Sequence, residues 1–315
     1  MSEAGSPEAG RNSDGAIDMD AAPFAMIALG RLGTGEMDIA SDADMIFVTE
    51  EGMSAEETAA WGKLAERFVN VVSSHTREGI LFPVDTRLRP RGADGEIIQS
   101  ASYLRKYFET EAEAWEAATF LKARPLAGNR ALATRTIEQV QGILLKRFAS
   151  ERPAESSTTS SRELAEQLAH TRDRVEREGA AHGTGSFKHA AGGYYDVEYI
   201  LAYLTLTRGL LPRAADGPGH VLRQIAAIES AGALDPARAQ TLRAAALLYR
   251  SLDHALRLVT GAATNQMPEP ALAERVAPLL AEWNVPVGAS LESAVLASRR
   301  EIRRLYEQII LNAGN

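Results

Sequence analysis

The sequence predicts an α+β chain, with a small mixed domain followed by an all-helical one. Short apolar runs of strand length, at 24–29 and 44–49, fall in the first third of the chain and are separated by turn-forming residues. From about residue 130 onward, apolar residues recur at spacings of three and four. The strongest such stripe is Leu242, Ala245, Tyr249, Leu252, Leu256 and Val259, which marks one buried helical face. At 315 residues, the chain has room for one large or two modest domains with a real core.

Residues 1–22 are rich in Gly, Ala, Ser, Asp and Glu without periodicity, which predicts a disordered tail. A strand over 24–29 and a turn from Gly30 to Gly35 with three glycines follow, then a second strand over 44–49. Ser54 and Glu57 form a capping-box signature before a helix that carries Trp61, Leu64, Ala65, Phe68, Val72 and His75 on one face. Residues 80–88 read as a third strand, with Pro83 marking an edge or a bulge. Pro90, Gly92 and Gly95 supply a loop, and 101–123 returns to helical spacing, with Trp115 on its apolar face. The polar, Ser/Thr-rich stretch 150–161 is the best linker. The expected boundaries are therefore a tail at 1–22, a mixed domain at 23–129, a helix and linker at 130–161 and a helical domain at 162–315.

Composition narrows the function. A formal net charge of −8 argues against general nucleic-acid binding, which needs clustered Lys and Arg. It leaves room for a nucleotide, because a triphosphate needs only a local positive pocket. The absence of cysteine excludes disulfides and Cys-ligated zinc and fits the cytoplasm. No apolar run approaches the roughly 18 residues of a membrane span, and the first residues lack a signal core, so neither a membrane nor secretion is expected.

The chemically informative residues are Asp42 and Asp44 at the head of the second strand. Side chains alternate along a strand, so both point to one face. Two adjacent carboxylates raise each other's pKa, and the pair persists most easily around a cation. Oxygen-only ligands favour Mg²⁺, with Mn²⁺ as the alternative, and Mg²⁺ commonly completes its shell with substrate phosphates. Asp85 on the third strand offers a third carboxylate, sharing a face with Pro83 and Arg87. Two metals flanking a phosphate would serve an in-line displacement. Gly33 and Thr34 lie where a tight turn can present N–H groups and a hydroxyl to phosphates. Arg87 and Arg89 alternate onto the Asp85 face, in position to neutralise a leaving pyrophosphate. Neither a dinucleotide fingerprint nor a Walker A sequence is present.

This order of strand, glycine turn, paired Asp, helix and strand with a third Asp resembles the DNA polymerase β-like nucleotidyltransferases. More narrowly, the chain resembles the glutamate–ammonia-ligase (glutamine synthetase) adenylyltransferase family. The matching segments are FAMIALGRLGTGEMDIASDADMIFV (24–48), GILFPVDTRLRPRGADGEIIQS (79–100), YFETEAEAWEAATFLKARPLAGN (107–129), FKHAAGGYYDVEYILAYLTL (187–206) and LLYRSLDHALRLV (247–259). Arg-Leu-Arg-Pro after the third Asp, and the Trp-Glu…Lys-Ala-Arg stretch, are more specific than Asp-x-Asp.

The resemblance implies Asp42, Asp44 and Asp85 as metal carboxylates, ATP as donor and a tyrosine of glutamine synthetase as acceptor. Family enzymes carry two homologous halves, one attaching AMP and one removing it by phosphorolysis. This chain holds one such unit and is more similar to the attaching, C-terminal half. Phosphorolytic deadenylylation giving ADP is the first alternative. A non-catalytic module that binds glutamine synthetase or a PII-type regulator is the second, and the intact set of aspartates speaks against it.

Gly192-Gly193 precedes a helix beginning near Tyr194. That places Asp196 and Glu198 at its start, either as acids complementing the helix dipole or as residues of the nucleotide cleft. His75 and His254 read as structural. Arg243, Arg250 and Arg257, seven apart, read as a solvated helix edge.

Overall fold

The computed structural model describes residues 18–149, 159–181, 185–211 and 220–313. The chain is α+β. Its described residues divide into two compact units, the first drawn from 1–37 and 41–144 and the second from 38–40, 145–211 and 220–315. The expected tail lies outside the described residues as far as 17. From Asp18 the chain makes a turn, and Ala22 is already fully buried. Most of the expected linker, 150–158, also lies outside the described residues.

The first unit is built on a five-stranded sheet. Its central strand, β1 (Phe24–Ala28), is buried at every residue because it has a strand on each edge. β2 (Ala43–Thr49) pairs with it antiparallel on one side and β5 (Arg124–Gly128) antiparallel on the other. The second edge of β2 takes two short strands in succession, both parallel to it: β3 (Val84–Asp85) at its start and β4 (Ile98–Ser100) at its end. Between β1 and β2 the glycine-rich turn winds into a single short helix, α1 (Gly30–Thr34), closed by Gly35 in the left-handed region.

α2 (Ala55–Ser73) starts at the Ser54–Glu57 capping box that the sequence signals. It lays Trp61 and Ala65 on the sheet, with the Trp61 ring stacked 5.1 Å from that of Phe24. His75 falls beyond the end of α2 and is exposed.

The expected third strand over 80–88 shrinks to two residues. The preceding Pro83 spends its carbonyl on the Ala43 N–H, and the chain turns into a loop directly after Asp85. The helical spacing over 101–123 hides a break. α3 (Ala101–Thr110) ends, and α4 (Ala114–Phe120) restarts with Glu113 and Glu116 as its capping pair. Trp115 is only half-buried, because its indole N–H turns to the Glu113 carboxylate 2.7 Å away. α5 (Arg130–Phe148) follows β5.

The second unit is helical: α6 (Ser161–Ala180), α7 (Tyr194–Arg208), α8 (Val221–Ser230), α9 (Pro236–Thr260), α10 (Pro270–Glu282) and α11 (Leu291–Tyr306). The stripe read from the sequence is the buried face of α9, with Leu242, Ala245, Tyr249, Leu252 and Leu256 all in the core. The arginine line is not a solvated edge. Arg243 pairs with Glu229, Arg250 lies over the Tyr194 ring, and Arg257 is buried against Asp253. α7 starts where its sequence predicts, after Gly193.

Asp196 is fully buried at that start. Its two oxygens take the Arg172 guanidinium and the Gly192 N–H, the latter at 2.8 Å, and Tyr249 donates to the Gly192 carbonyl at 2.7 Å. Glu198, two residues on, is half-buried. Among the described residues, no helix is long and apolar enough to cross a membrane.

Removing one partner of a buried ion pair leaves the other charge stranded. Asp196→Ala is therefore expected to destabilise the second unit by about 3–5 kcal/mol in urea unfolding, whereas Glu198→Ala, at a half-buried position, is expected to cost far less. Equal, small effects of the two would contradict the role assigned to Asp196.

Candidate active site in the first unit

The parallel register of β2 and β3 sets Asp44 directly beside Asp85, and Asp42 lies just before β2, near enough for its charge to act on Asp44. The three carboxylates expected from the sequence thus come to one end of the sheet. Asp42 is exposed, while Asp44 and Asp85 are half-buried. Burial, reinforced by the charges of Asp85 and Asp42, pushes the Asp44 carboxyl up to about 6, against the opposing pull of Lys122 and Arg87. For Asp85 burial acts in the same upward direction. Hydrogen bonds from Arg87 outweigh it and hold the group below its ordinary value.

The glycine turn is shaped by what presses on it. Gly30 has a φ of +48°, and a Cβ there would sit 2.0 Å from Oδ2 of Asp44. Gly33 has an ordinary φ, but a Cβ on it would sit 1.9 Å from the Lys122 carbonyl oxygen. Its own N–H donates to the Leu29 carbonyl at 2.7 Å, and the buried Thr34 hydroxyl donates to the Arg31 carbonyl at 3.3 Å. The donors that the sequence suggested for phosphates are therefore engaged within α1. The space that glycine leaves here is filled by Asp44 and by the backbone of Lys122.

The two arginines read as equivalent from their alternation behave differently. Arg87 grips Asp85 through Nε, 3.0 Å from each carboxylate oxygen, while its side chain stays 75% exposed. Arg89 is turned into its own loop. It donates to the carbonyls of Gly95 (2.9 Å), Thr86 (2.9 Å) and Ala93 (3.0 Å) and to the Thr86 hydroxyl (2.8 Å). It braces the segment that follows Asp85, with Arg91 and Gly92 both in the left-handed region.

Two residues that the sequence marks without giving them a part of their own join the site. They are Gly30 and Lys122, the latter concealed at the end of a stretch that reads as continuous helix.

Among the described residues, no three Asp, Glu or His side chains stand as a preformed ion cage. The chemistry of the set still suits a hard divalent cation: oxygen donors only, mutual repulsion, and one member held up by burial and by its neighbours' charge. To hold such an ion, Asp85 must exchange Arg87 for it.

Residues 6–139 match the family model described as glutamate-ammonia ligase adenylyltransferase, and residues 158–310 match that of the GlnD PII-uridylyltransferase. A protein of Chromobacterium violaceum named bifunctional glutamine synthetase adenylyltransferase/adenylyl-removing enzyme is 33% identical over 237 residues, which is 75% of this chain and 25% of that protein. Proteins of the same name from Stenotrophomonas maltophilia and Rhodopseudomonas palustris are 29% identical over 82% of this chain and 28% identical over 92% of it. The chain spans about a quarter of the length of these relatives, between 25% and 29%. Through its first unit, the chain belongs to the glutamate–ammonia ligase adenylyltransferase family.

Gly30→Ala is expected to displace the Asp44 carboxylate and to weaken divalent-cation binding measured by calorimetry, at a stability cost of roughly 1 kcal/mol or more. Unchanged cation binding would contradict the packing described. A carboxyl raised in the folded state favours folding at low pH, and that contribution is lost as pH climbs through about 6. The loss for Asp44 is on the order of 3 kcal/mol. Without metal, Asp44→Asn is expected to gain stability over the parent between pH 4 and pH 7.5 in urea unfolding. A stability difference independent of pH would refute the shift.

Proposed function

We propose that this chain transfers AMP from ATP to a tyrosine of glutamine synthetase, using Asp42, Asp44 and Asp85 as its metal carboxylates. The observation that carries the reading is the register of β2 and β3, which pairs Asp44 with Asp85, with Asp42 just before β2. The names borne by the relatives supply the nucleotide and the acceptor protein.

A divalent Mg²⁺ or Mn²⁺ ion bound there would neutralise the triphosphate and acidify the attacking hydroxyl. The chain's own residues do the rest. The tyrosine oxygen attacks the α phosphorus, forming the P–O bond as the bond to pyrophosphate breaks. Asp85 is ionised at neutral pH and is the carboxylate suited to accept the tyrosine proton or to serve as a ligand. Arg87, once released from Asp85, is exposed enough to meet the departing pyrophosphate. Arg89 positions Asp85 and Arg87 indirectly by holding the loop closed behind them. Gly33 and Thr34 contribute through the shape of α1 rather than by direct donation.

The relatives' two-part name also supports a second reading, in which the same carboxylates serve phosphorolysis of adenylylated synthetase. The match of residues 158–310 to the PII-uridylyltransferase model supports a PII-type protein as a regulatory partner of the second unit.

The test is transfer of label from α-³²P ATP to purified glutamine synthetase with magnesium. Label is expected with the parent chain and is expected to be lost with Asp42→Asn. Equal labelling by that variant would sink the metal assignment. ADP formed from adenylylated synthetase and phosphate, without forward labelling, would select the phosphorolytic direction.

A further inference from the structure

The sequence singles out Lys-Ala-Arg at 122–124 without giving it work, and the structure brings it to the carboxylates. The turn of α1 is held between two surfaces. On one side Gly30 packs on the Asp44 carboxylate, and on the other Gly33 packs on the backbone of Lys122, each too closely for any side chain. Two further contacts fix the Lys122 segment in place. The Arg124 guanidinium donates to the Leu32 carbonyl of α1 at 3.0 Å, and Arg124 pairs in register with Ala28 of β1. Lys122 itself is half-buried, and its charge acts on Asp44, favouring the ionised form.

From this placement, and resting on the nucleotidyl-transfer reading above, we infer that Lys122 is a phosphate-binding residue that meets the triphosphate beside Asp44. The charge of the site calls for such a group. A triphosphate entering here faces three carboxylates. Arg89 is committed to its loop carbonyls, and Arg87 is held by Asp85 until it is released. An ammonium on a flexible stem can turn to a phosphate oxygen as the nucleotide arrives, because it is a point charge with rotatable donors. Arg124 is the positioning residue, since it ties α1 to the strand that Lys122 precedes.

The inference is specific to phosphate and not to the nucleoside. The experiment is a calorimetric comparison of ATP, ADP, AMP and adenosine binding in the presence of magnesium, on the full chain, with Lys122→Gln and Lys122→Arg. The parent is expected to bind ATP more tightly than AMP. Lys122→Gln is expected to weaken ATP about tenfold or more while leaving adenosine unchanged, which collapses the preference. Lys122→Arg, which keeps the charge, is expected to restore most of it. Circular dichroism and melting temperature confirm that each variant is folded, and a misfolded Gln variant leaves Lys122→Met to decide the same comparison.

A parent that binds ATP with a preference untouched by the Gln or Met change overturns the role of Lys122 and leaves the nucleotidyl-transfer reading standing. A parent that binds no ATP at all overturns that reading and this inference with it. Equal weakening of ATP and adenosine assigns Lys122 a structural role and likewise overturns the inference.

Discussion

Repulsion among carboxylates held side by side is the constraint around which the first unit is organised. β2 and β3 hydrogen-bond in parallel with Asp44 opposite Asp85, so the two negative charges are fixed by the sheet and cannot drift apart. Asp44 carries the cost, with its carboxyl pushed up to about 6 by burial and by its acidic neighbours. Nothing in the hydrophobic core needs three acids at this end of the sheet. A cation would relieve such strain, which is how the local electrostatics bear on the proposed chemistry.

The surrounding residues are arranged to manage that charge. Arg87 pairs with Asp85 from the solvent side, and Lys122 acts on Asp44 from the strand side. Glycines stand at the two places where α1 would otherwise collide with the acid or with the Lys122 backbone. Arg89 has a further job. By closing four hydrogen bonds on its own loop, it keeps the two-residue strand β3 in register although that strand is too short to hold itself. In the second unit a different acid, Asp196, has its charge met by Arg172, Arg303 and backbone, and its role there is to fix the start of α7. The two acidic features thus differ in kind: one is satisfied internally and the other is not.

Much of this was legible in the residues, because alternation along a strand is a local rule. Asp42 and Asp44 on one face, and Asp85 on a later strand, follow from a period of two, and the α9 stripe follows from a period of 3.6 in the same way. What the sequence concealed depends on which backbone passes where. Spacing places Arg87 and Arg89 on one face but does not say that one will grip a carboxylate and the other three carbonyls. The helical spacing over 101–123 runs straight through the break at 111–113, which hid both α4's separate start and the strand after it. The nearness of Lys122 to Asp44 was hidden with that strand. The need for glycine at 30 and 33 arises only from contacts with Asp44 and Lys122, residues distant or hidden in the linear reading.

The central claim is that Asp42, Asp44 and Asp85 act as one cation site. Electron paramagnetic resonance of Mn²⁺ titrated into the parent chain and into Asp85→Asn tests it most directly. The account predicts saturable binding by the parent and its loss or strong weakening in the variant, since the two aspartates that remain cannot complete the donor set. Binding by Asp85→Asn as tight as by the parent would contradict it and would leave β3 without a part in the site.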